Sequence, residues 1–371
     1  MKKIIEILKH EAVLFVSAVL ALASAVFVKP DAYYYGYIDY RTLSILLALM
    51  ITMAGLKRLM VFKQIGEKLV QKMGTARGIV LCLIVLCFFF SMVITNDVAL
   101  ITFVPFTIVT LTLAERKDLI LITIVLETVA ANLGSMLTPL GNPQNLYLYS
   151  LSGMSVAKFV MLMLPYSVVA LVLLIVCGIM FAGKEEVEAK EKNIYERAAK
   201  DKRKIVMYAI TFTISLLVVL RFLPYYIGLA LVLALVLVFD AKVLKEVDYS
   251  LIFTFIFLFV FIGNIKRIPA LSDTLSQVVN ANEVWVSAAL SQVISNVPAA
   301  ILCSGFTNEI PKLIVGTNIG GLGTLIASMA SLISFKQYAV LEESDNAKYL
   351  KVFTAVNVVF FIFMALVYVI L

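Results

Sequence analysis

The chain has 371 residues, of which 62% are hydrophobic and only 15% charged, with a formal net charge of +7. Soluble domains carry roughly 45–50% apolar and about 25% charged residues, so this composition excludes an ordinary soluble fold and points to a polytopic membrane protein. The positive charge does not imply nucleic acid, because the Lys and Arg residues cluster in short loops between apolar runs.

A membrane-crossing helix needs about 20 apolar residues. In chain order, such spans are predicted at about 12–28, 41–60, 118–140, 158–181, 205–222, 225–240, 249–264, 311–335 and 350–371. Lys2, Lys3 and Lys9 precede the first span, and no small-residue cleavage site stands before Lys29-Pro30, so no cleavable signal is expected. Two further apolar segments, about 78–113 and 283–306, are interrupted by polar residues and read as re-entrant hairpins that enter and leave on the same side. With both hairpins counted as zero crossings, one side collects 24 of the 31 Lys and Arg residues. The other holds Lys29, Arg41, Lys158, Arg221, Lys266, Arg267 and Lys312. The basic side is then cytoplasmic. The N-terminus is expected inside, the C-terminus at Leu371 outside, and the chain in the cell membrane.

The interruptions repeat. Val93-Ile94-Thr95-Asn96-Asp97 and Val293-Ile294-Ser295-Asn296-Val297 lie 200 positions apart. Each is followed by a Gly-, Asn- and Thr-rich break, Asn132 to Asn145 and Asn318 to Ser328. Aligning Asn132 with Asn318 also aligns Gly134 with Gly320 and Thr138 with Thr324. Backbone polar groups in lipid must be satisfied internally, so broken helices persist only inside protein or beside a cavity. The expected architecture is all-α, with two inverted repeats, each containing a re-entrant hairpin and a broken transmembrane helix. The first repeat covers 1–183, with its hairpin at about 78–113 and its broken helix at about 118–151. Residues 184–204 read as a solvated cytoplasmic linker. Residues 205–371 supply an extra span and the second repeat, with a hairpin at about 283–306 and a broken helix at about 311–335. An odd number of crossings between the two starts makes the second unit inverted.

At each tip a helix starts inside the membrane. Thr95, Asn96 and Asp97 are expected to cap the second arm of hairpin one; Ser295 and Asn296 that of hairpin two, with Pro298 near its first position. Free amides and partial positive charge at such a start form a site for an anion or polar ligand. The candidate substrate-binding residues are Thr95, Asn96, Asn142, Ser295, Asn296 and Thr324. Asn142-Pro143 reads as a cap followed by a helix start. Oxygen-rich turns suit a hard cation, so Asp97, Asn132, Gly134, Ser135, Thr138, Asn318, Gly320 and Gly323 are candidates for ion coupling, with Na⁺ held at Asn96, Asp97 and Asn296. Glu127 is the other carboxylate within a span, either functional or locally paired. No cofactor is expected beyond Na⁺ or H⁺ as coupling ion. Cys82, Cys87, Cys177 and Cys303 lack ligand-like spacing, and His10 stands alone before the first span. No HExxH-type motif is present, so an enzyme is not expected. Nor is there a nucleotide motif; a separate ATPase is not indicated.

At these residues the chain resembles the ion transporter superfamily, which includes arsenite permeases, citrate and dicarboxylate carriers, and certain sodium–proton antiporters. The resemblance covers nearly the whole chain. It implies a homodimer built on a scaffold domain, with a mobile transport domain that carries both hairpins in an elevator-like movement. In the dicarboxylate branch both tips read Ser-Asn-Thr. Here Thr95-Asn96-Asp97 and Ser295-Asn296-Val297-Pro298 keep the Asn residues but not the final hydroxyls, and are more similar to the arsenite-permease and sodium–proton-antiporter branches. The expected function is ion-coupled secondary transport of a small anionic or polar solute across the bilayer. The alternatives are sodium–proton antiport and dicarboxylate or citrate symport.

Overall fold

The computed structural model describes residues 12–183, 185–186 and 201–371. The expected linker therefore lies mostly outside the described residues, as does His10. The described chain is helical throughout. It begins with α1 (Ala12–Phe27), the short α2 (Tyr34–Tyr37), α3 (Tyr40–Arg58) and α4 (Val61–Val70). A hairpin follows, α5 (Ala76–Ile94) and α6 (Asn96–Leu113), then an interrupted helix, α7 (Ile120–Ser135) and α8 (Pro143–Ser152), then α9 (Val156–Phe181). After α10 (Lys202–Val219) the same order returns: α11 (Tyr225–Asp240), α12 (Tyr249–Lys266), α13 (Pro269–Ala281), hairpin α14 (Glu283–Ile294) and α15 (Asn296–Ser304), interrupted helix α16 (Ile310–Ile319) and α17 (Met329–Ala339), and α18 (Asn346–Ile370).

Local chemistry sets many of the starts. Asp39, Thr75, Asn142, Asp201, Asn282 and Asp345 each accept a hydrogen bond from a first-turn amide, which satisfies donors that an isolated helix end leaves unpaired. Eight helices among the described residues are long and apolar enough to cross a membrane. α9 and α18 expose Val168, Val172, Val176, Val358, Ile362 and Leu366, and such uninterrupted apolar faces belong in lipid.

Hairpin one departs from the expected shape. Its arms have 19 and 18 residues, about 28 and 27 Å at 1.5 Å per residue, and each satisfies the length for a crossing. The arms of hairpin two have 12 and 9 residues, or about 18 and 13 Å, too short to cross about 30 Å of hydrocarbon. Either depth returns the chain to the side it left.

The packing forms two bodies of apolar side chains. A large cluster joins the hairpins and interrupted helices to α9 and α18 and takes in Ile45, Leu49 and Met53 of α3 and Phe255 and Phe259 of α12. A smaller one lies between α3, α10 and α11, around Ile51, Tyr208, Val232 and Val236. α1 packs along α12, and α3 along α11, so each early helix of one series is partnered by the other series. The smaller body is closed by charge: buried Asp240 accepts hydrogen bonds from Arg58 at 2.7 Å, Lys204 at 3.1 Å and the Tyr208 hydroxyl at 2.9 Å. The Tyr208 ring lies directly over Gly55, where a Cβ would come within 2.0 Å of it. Glu343 pairs with Lys117 at 3.2 Å at one end of the assembly, and Asn308 lies on the loop after hairpin two. In a cysteine-free background, a cysteine replacing Glu343 is expected to react with impermeant maleimide only from the cytoplasm, and one replacing Asn308 only from outside. The reverse pattern in intact cells rules out this topology.

Candidate functional site

Both hairpin tips have the same unusual backbone. Thr95 has φ 72°, ψ 149° and Ser295 has φ 73°, ψ 155°. L-residues rarely occupy this region, which costs on the order of 1–3 kcal/mol per residue and persists only where the surroundings impose it. The tips turn here without the expected side-chain caps: neither Thr95 nor Ser295 caps the following helix, and Pro298 sits in the third helical position. The reason is that each tip is held by the break opposite. Asn96 N donates to Gly141 O at 3.0 Å, and Asn296 N donates to Ala327 O at 3.0 Å.

Two constant offsets relate the halves, 200 for hairpin residues and 186 for break residues, and several independent contacts obey both. Thr138 Oγ1 donates to Met92 O, as Thr324 Oγ1 donates to Gln292 O at 3.0 Å. A Cβ on Gly134 would lie 2.1 Å from Phe88 O, and one on Gly320 would lie 2.7 Å from Ala288 Cα. Gly134, Thr138 and Gly320, singled out for ion coupling, and Thr324, singled out for substrate, thus join hairpin to break. Their groups are already engaged: Leu137 N donates to Gly134 O, and Gln292 Nε2 donates to Gly320 O at 2.8 Å. Gly323, at φ 110°, is crowded by Gln292 Oε1, and Gln292 also bonds Leu322 O and Thr324 N. Thr324 is exposed, apart from the buried cluster described next.

The breaks meet in that cluster. Asn132 Oδ1 accepts from Ser328 Oγ at 2.9 Å and Asn96 Nδ2 at 3.2 Å, and its Nδ2 faces Ser331 Oγ at 3.4 Å. Asn318 answers it: Oδ1 accepts from Asn142 Nδ2 at 3.2 Å, and Nδ2 donates to Asn145 Oδ1 at 2.6 Å. Asn142 also caps α8 through Asn145 N at 2.9 Å and donates to Ser135 Oγ at 3.1 Å. The structure therefore unites Asn96, Asn132, Ser135, Asn142 and Asn318, with Asn296 and Ser295 buried at the second tip, where a Cβ on Gly321 would lie 3.1 Å from Asn296 Nδ2. Ser328, Ser331 and Asn145 were not singled out in sequence; the 186 offset applied to Asn142 and Asn145 gives Ser328 and Ser331 directly.

Asp97 stands where hairpin two has Val297. Its Oδ1 is buried and has no hydrogen-bond partner. Asp97 faces a cavity of about 200 Å³ that Thr95, Asn142, Pro143, Lys57, Glu246 and Asp248 also line. This places one hairpin tip and one break against α3 and the loop after α11.

Paired hairpins and interrupted helices, with polar side chains gathered where they meet inside an apolar body, define a multi-pass membrane transporter. The family described as citrate transporter matches residues 4–310, and the chain belongs to it. Inner membrane protein YbiR of Escherichia coli is 33% identical over 303 residues, 81% of this chain and 80% of that protein. The uncharacterized transporter MJ0456 of Methanocaldococcus jannaschii is 33% identical over 301 residues, 81% of each chain. Silicon efflux transporter LSI3 of rice is 32% identical over 149 residues, 40% of this chain and 30% of that protein.

Gly134→Leu and Gly320→Leu are expected to separate hairpin from break. Overpacking of a close contact costs about 1–3 kcal/mol or more, read as a lowered unfolding temperature in detergent. An unchanged unfolding temperature in both removes these glycines from the hairpin–break contact.

Proposed function

We propose that this chain is an ion-coupled secondary transporter for a small oxyanion or other small anionic solute, worked by elevator-like alternating access. The observation that carries the reading is the cavity at tip one, which brings Thr95, Asp97 and Asn142 against helix α3 and the 246–248 loop. Lys57 and Asp248 line it, and they lie on the side richest in Lys and Arg, which the positive-inside rule makes cytoplasmic. The matched offsets support two inverted repeats with a single origin of geometry. In such an arrangement, opening at one tip and closure at the other give access to one side at a time. The hairpins and interrupted helices form the moving body in this reading, and α1, α3, α10, α11 and α12 the scaffold, through which a homodimer would form.

Charge narrows the solute. Around the cavity Asp97 and Asp248 outnumber Lys57, with Glu246 paired to Arg58 at 3.2 Å. Like charges a few ångströms apart repel, most strongly away from water. A multiply charged carboxylate such as citrate enters this space only together with cations, whereas a small, weakly ionised oxyacid does not carry that penalty. The family description names citrate and the rice relative's name specifies silicon, so both kinds of solute are represented among similar proteins. We place the small oxyacid first. Asp97 is then the ligand for the coupling cation, beside Asn96 and facing Asn142. Sodium–proton exchange at Asp97 is the second reading, favoured by its unpartnered oxygen.

A ligand that binds only the folded state raises stability by mass action, about 2.7 kcal/mol at a hundredfold excess over Kd. Thermal unfolding of the purified protein with citrate, silicic acid and arsenite, in Na⁺ and in choline, is expected to show stabilisation by an oxyacid that depends on the cation. Stabilisation by Na⁺ alone, indifferent to every solute, establishes the exchange reading instead. Asn96→Ala and Asn296→Ala are expected to abolish solute flux into proteoliposomes while costing only about 1 kcal/mol of stability for a lost hydrogen bond; normal flux in either variant places the solute elsewhere.

A further inference from the structure

Glu127 plays no part in the site above. It lies on α7, five residues before Asn132, and is fully buried. Its Oε1 accepts a hydrogen bond from the Thr107 hydroxyl of α6 at 2.6 Å, while Oε2 is buried with no hydrogen-bond partner. Among the described residues no Lys, Arg or His pairs with it.

The groups that face it are neutral. From α5, the Cys87 thiol donates to the Glu127 carbonyl at 3.4 Å. From α18, the Tyr349 hydroxyl lies 3.3 Å from Ser334 Oγ, the partner of Thr128 next in sequence to Glu127. On α17, Ser334 accepts from Thr128 and Gln337 donates to Leu100 O of α6, while Lys336 is exposed. α9 packs on α7 with a single charged residue, the exposed Lys158 of its first turn. An ionised carboxylate in such surroundings carries a desolvation cost of several kcal/mol that no cation offsets. Acids inside a membrane are kept for function far more often than for packing.

Neutral hydroxyls also stand beside it. Thr128 Oγ1 donates to Ser334 Oγ at 2.7 Å, and Ser334 Oγ lies 3.3 Å from the Tyr349 hydroxyl. The Tyr349 ring stacks on Tyr338 with centroids 4.9 Å apart, and Asp345 N donates to the Tyr338 hydroxyl at 3.2 Å at the start of α18. The hydroxyls of Thr128, Ser334 and Tyr349 thus form a bonded string next to Glu127 on α7, and the stacked Tyr338 ring lies between that string and the start of α18.

We propose that Glu127 is a proton-binding site: its carboxylate takes up one proton at Oε2 to become a neutral acid and gives it back in each transport cycle, so that solute movement is coupled to H⁺. The proton part stands on the geometry of Glu127; its coupling to solute rests on the transport reading given above. The lever is short. The same helix carries Asn132, which binds Asn96 of tip one and Ser328 of the second break. Thr107, which holds the carboxyl, is on the arm that ends in that tip.

Infrared difference spectra of the full-length protein in lipid vesicles, taken between alkaline and acidic buffer, separate the two parts. The expected result is a carbonyl band of a protonated carboxylic acid that appears on acidification, shifts in D₂O, is absent from Glu127→Gln and survives in Asp97→Asn. Identical bands in wild type and Glu127→Gln, or a Glu127 band that never titrates, overturns the proposal. Should Glu127→Gln fail to fold, Glu127→Asp is expected to shift the band, and an unshifted band is equally fatal. In the same vesicles loaded with a pH-sensitive dye, gradients of silicic acid or citrate are expected to move protons through wild type and at least tenfold less through Glu127→Gln. Equal proton movement through both overturns the coupling. If neither solute crosses in wild type, the choice of these solutes fails, while the spectra still decide Glu127.

Discussion

The structure depends on two hydrogen bonds, from Asn96 N to Gly141 O and from Asn296 N to Ala327 O. A helix that starts inside a membrane exposes amides, and one that stops there exposes carbonyls, and lipid satisfies neither. Here each interruption supplies what the other lacks. The tip is bent into a backbone region that Thr and Ser ordinarily avoid so that its first amide points at the break. Once that link is made, the hairpin is fixed against the interrupted helix, and the Asn132 and Asn318 cluster has its position. A helix break in this protein is never a local event; it is half of a pair.

The two halves share this device but not its dimensions. The fourteen-residue difference between the two offsets lies mostly in α15, which has nine residues where α6 has eighteen, and in the shorter α16. Hairpin two and its broken helix are accordingly shallow, and hairpin one reaches farther. Chemistry also diverges at equivalent positions. Asp97 faces a cavity where Val297 is apolar, and Gln292 ties down three backbone groups of break two where Met92 offers only its carbonyl. One tip keeps a carboxylate oxygen without a partner. The other is braced.

Much of this was legible in the amino-acid sequence, for a physical reason. Polar residues inside apolar runs are expensive, so Thr95-Asn96, Ser295-Asn296 and the two breaks stand out, and Asn142-Pro143 carries its own capping chemistry. Length alone did not separate a deep hairpin from a shallow one. The roles of Thr95 and Ser295 were misread as caps because a positive φ is imposed by the opposite break, not by the residue's own preference. Gly134 and Gly320 suggested ligand carbonyls, yet their use is the closeness of Phe88 and Ala288, which only tertiary contact reveals. Ser328 and Ser331 bond an Asn nearly 200 residues earlier, and short polar side chains near a helix start give no local sign of such a partner.

The charge cluster around Asp240 has a bearing on how the chain assembles. Arg58 is made 182 residues before Asp240, and Lys204 only 36 before it. For 182 of the 371 residues of synthesis the Arg58 guanidinium at the end of α3 has no Asp240 to meet, and helix α10, which belongs to neither series, is made before it and carries the Tyr208 that lies over Gly55. The charge cluster and the cover of α3 both draw on the later half, so an early half on its own would present Arg58 without Asp240 and Gly55 without the Tyr208 ring.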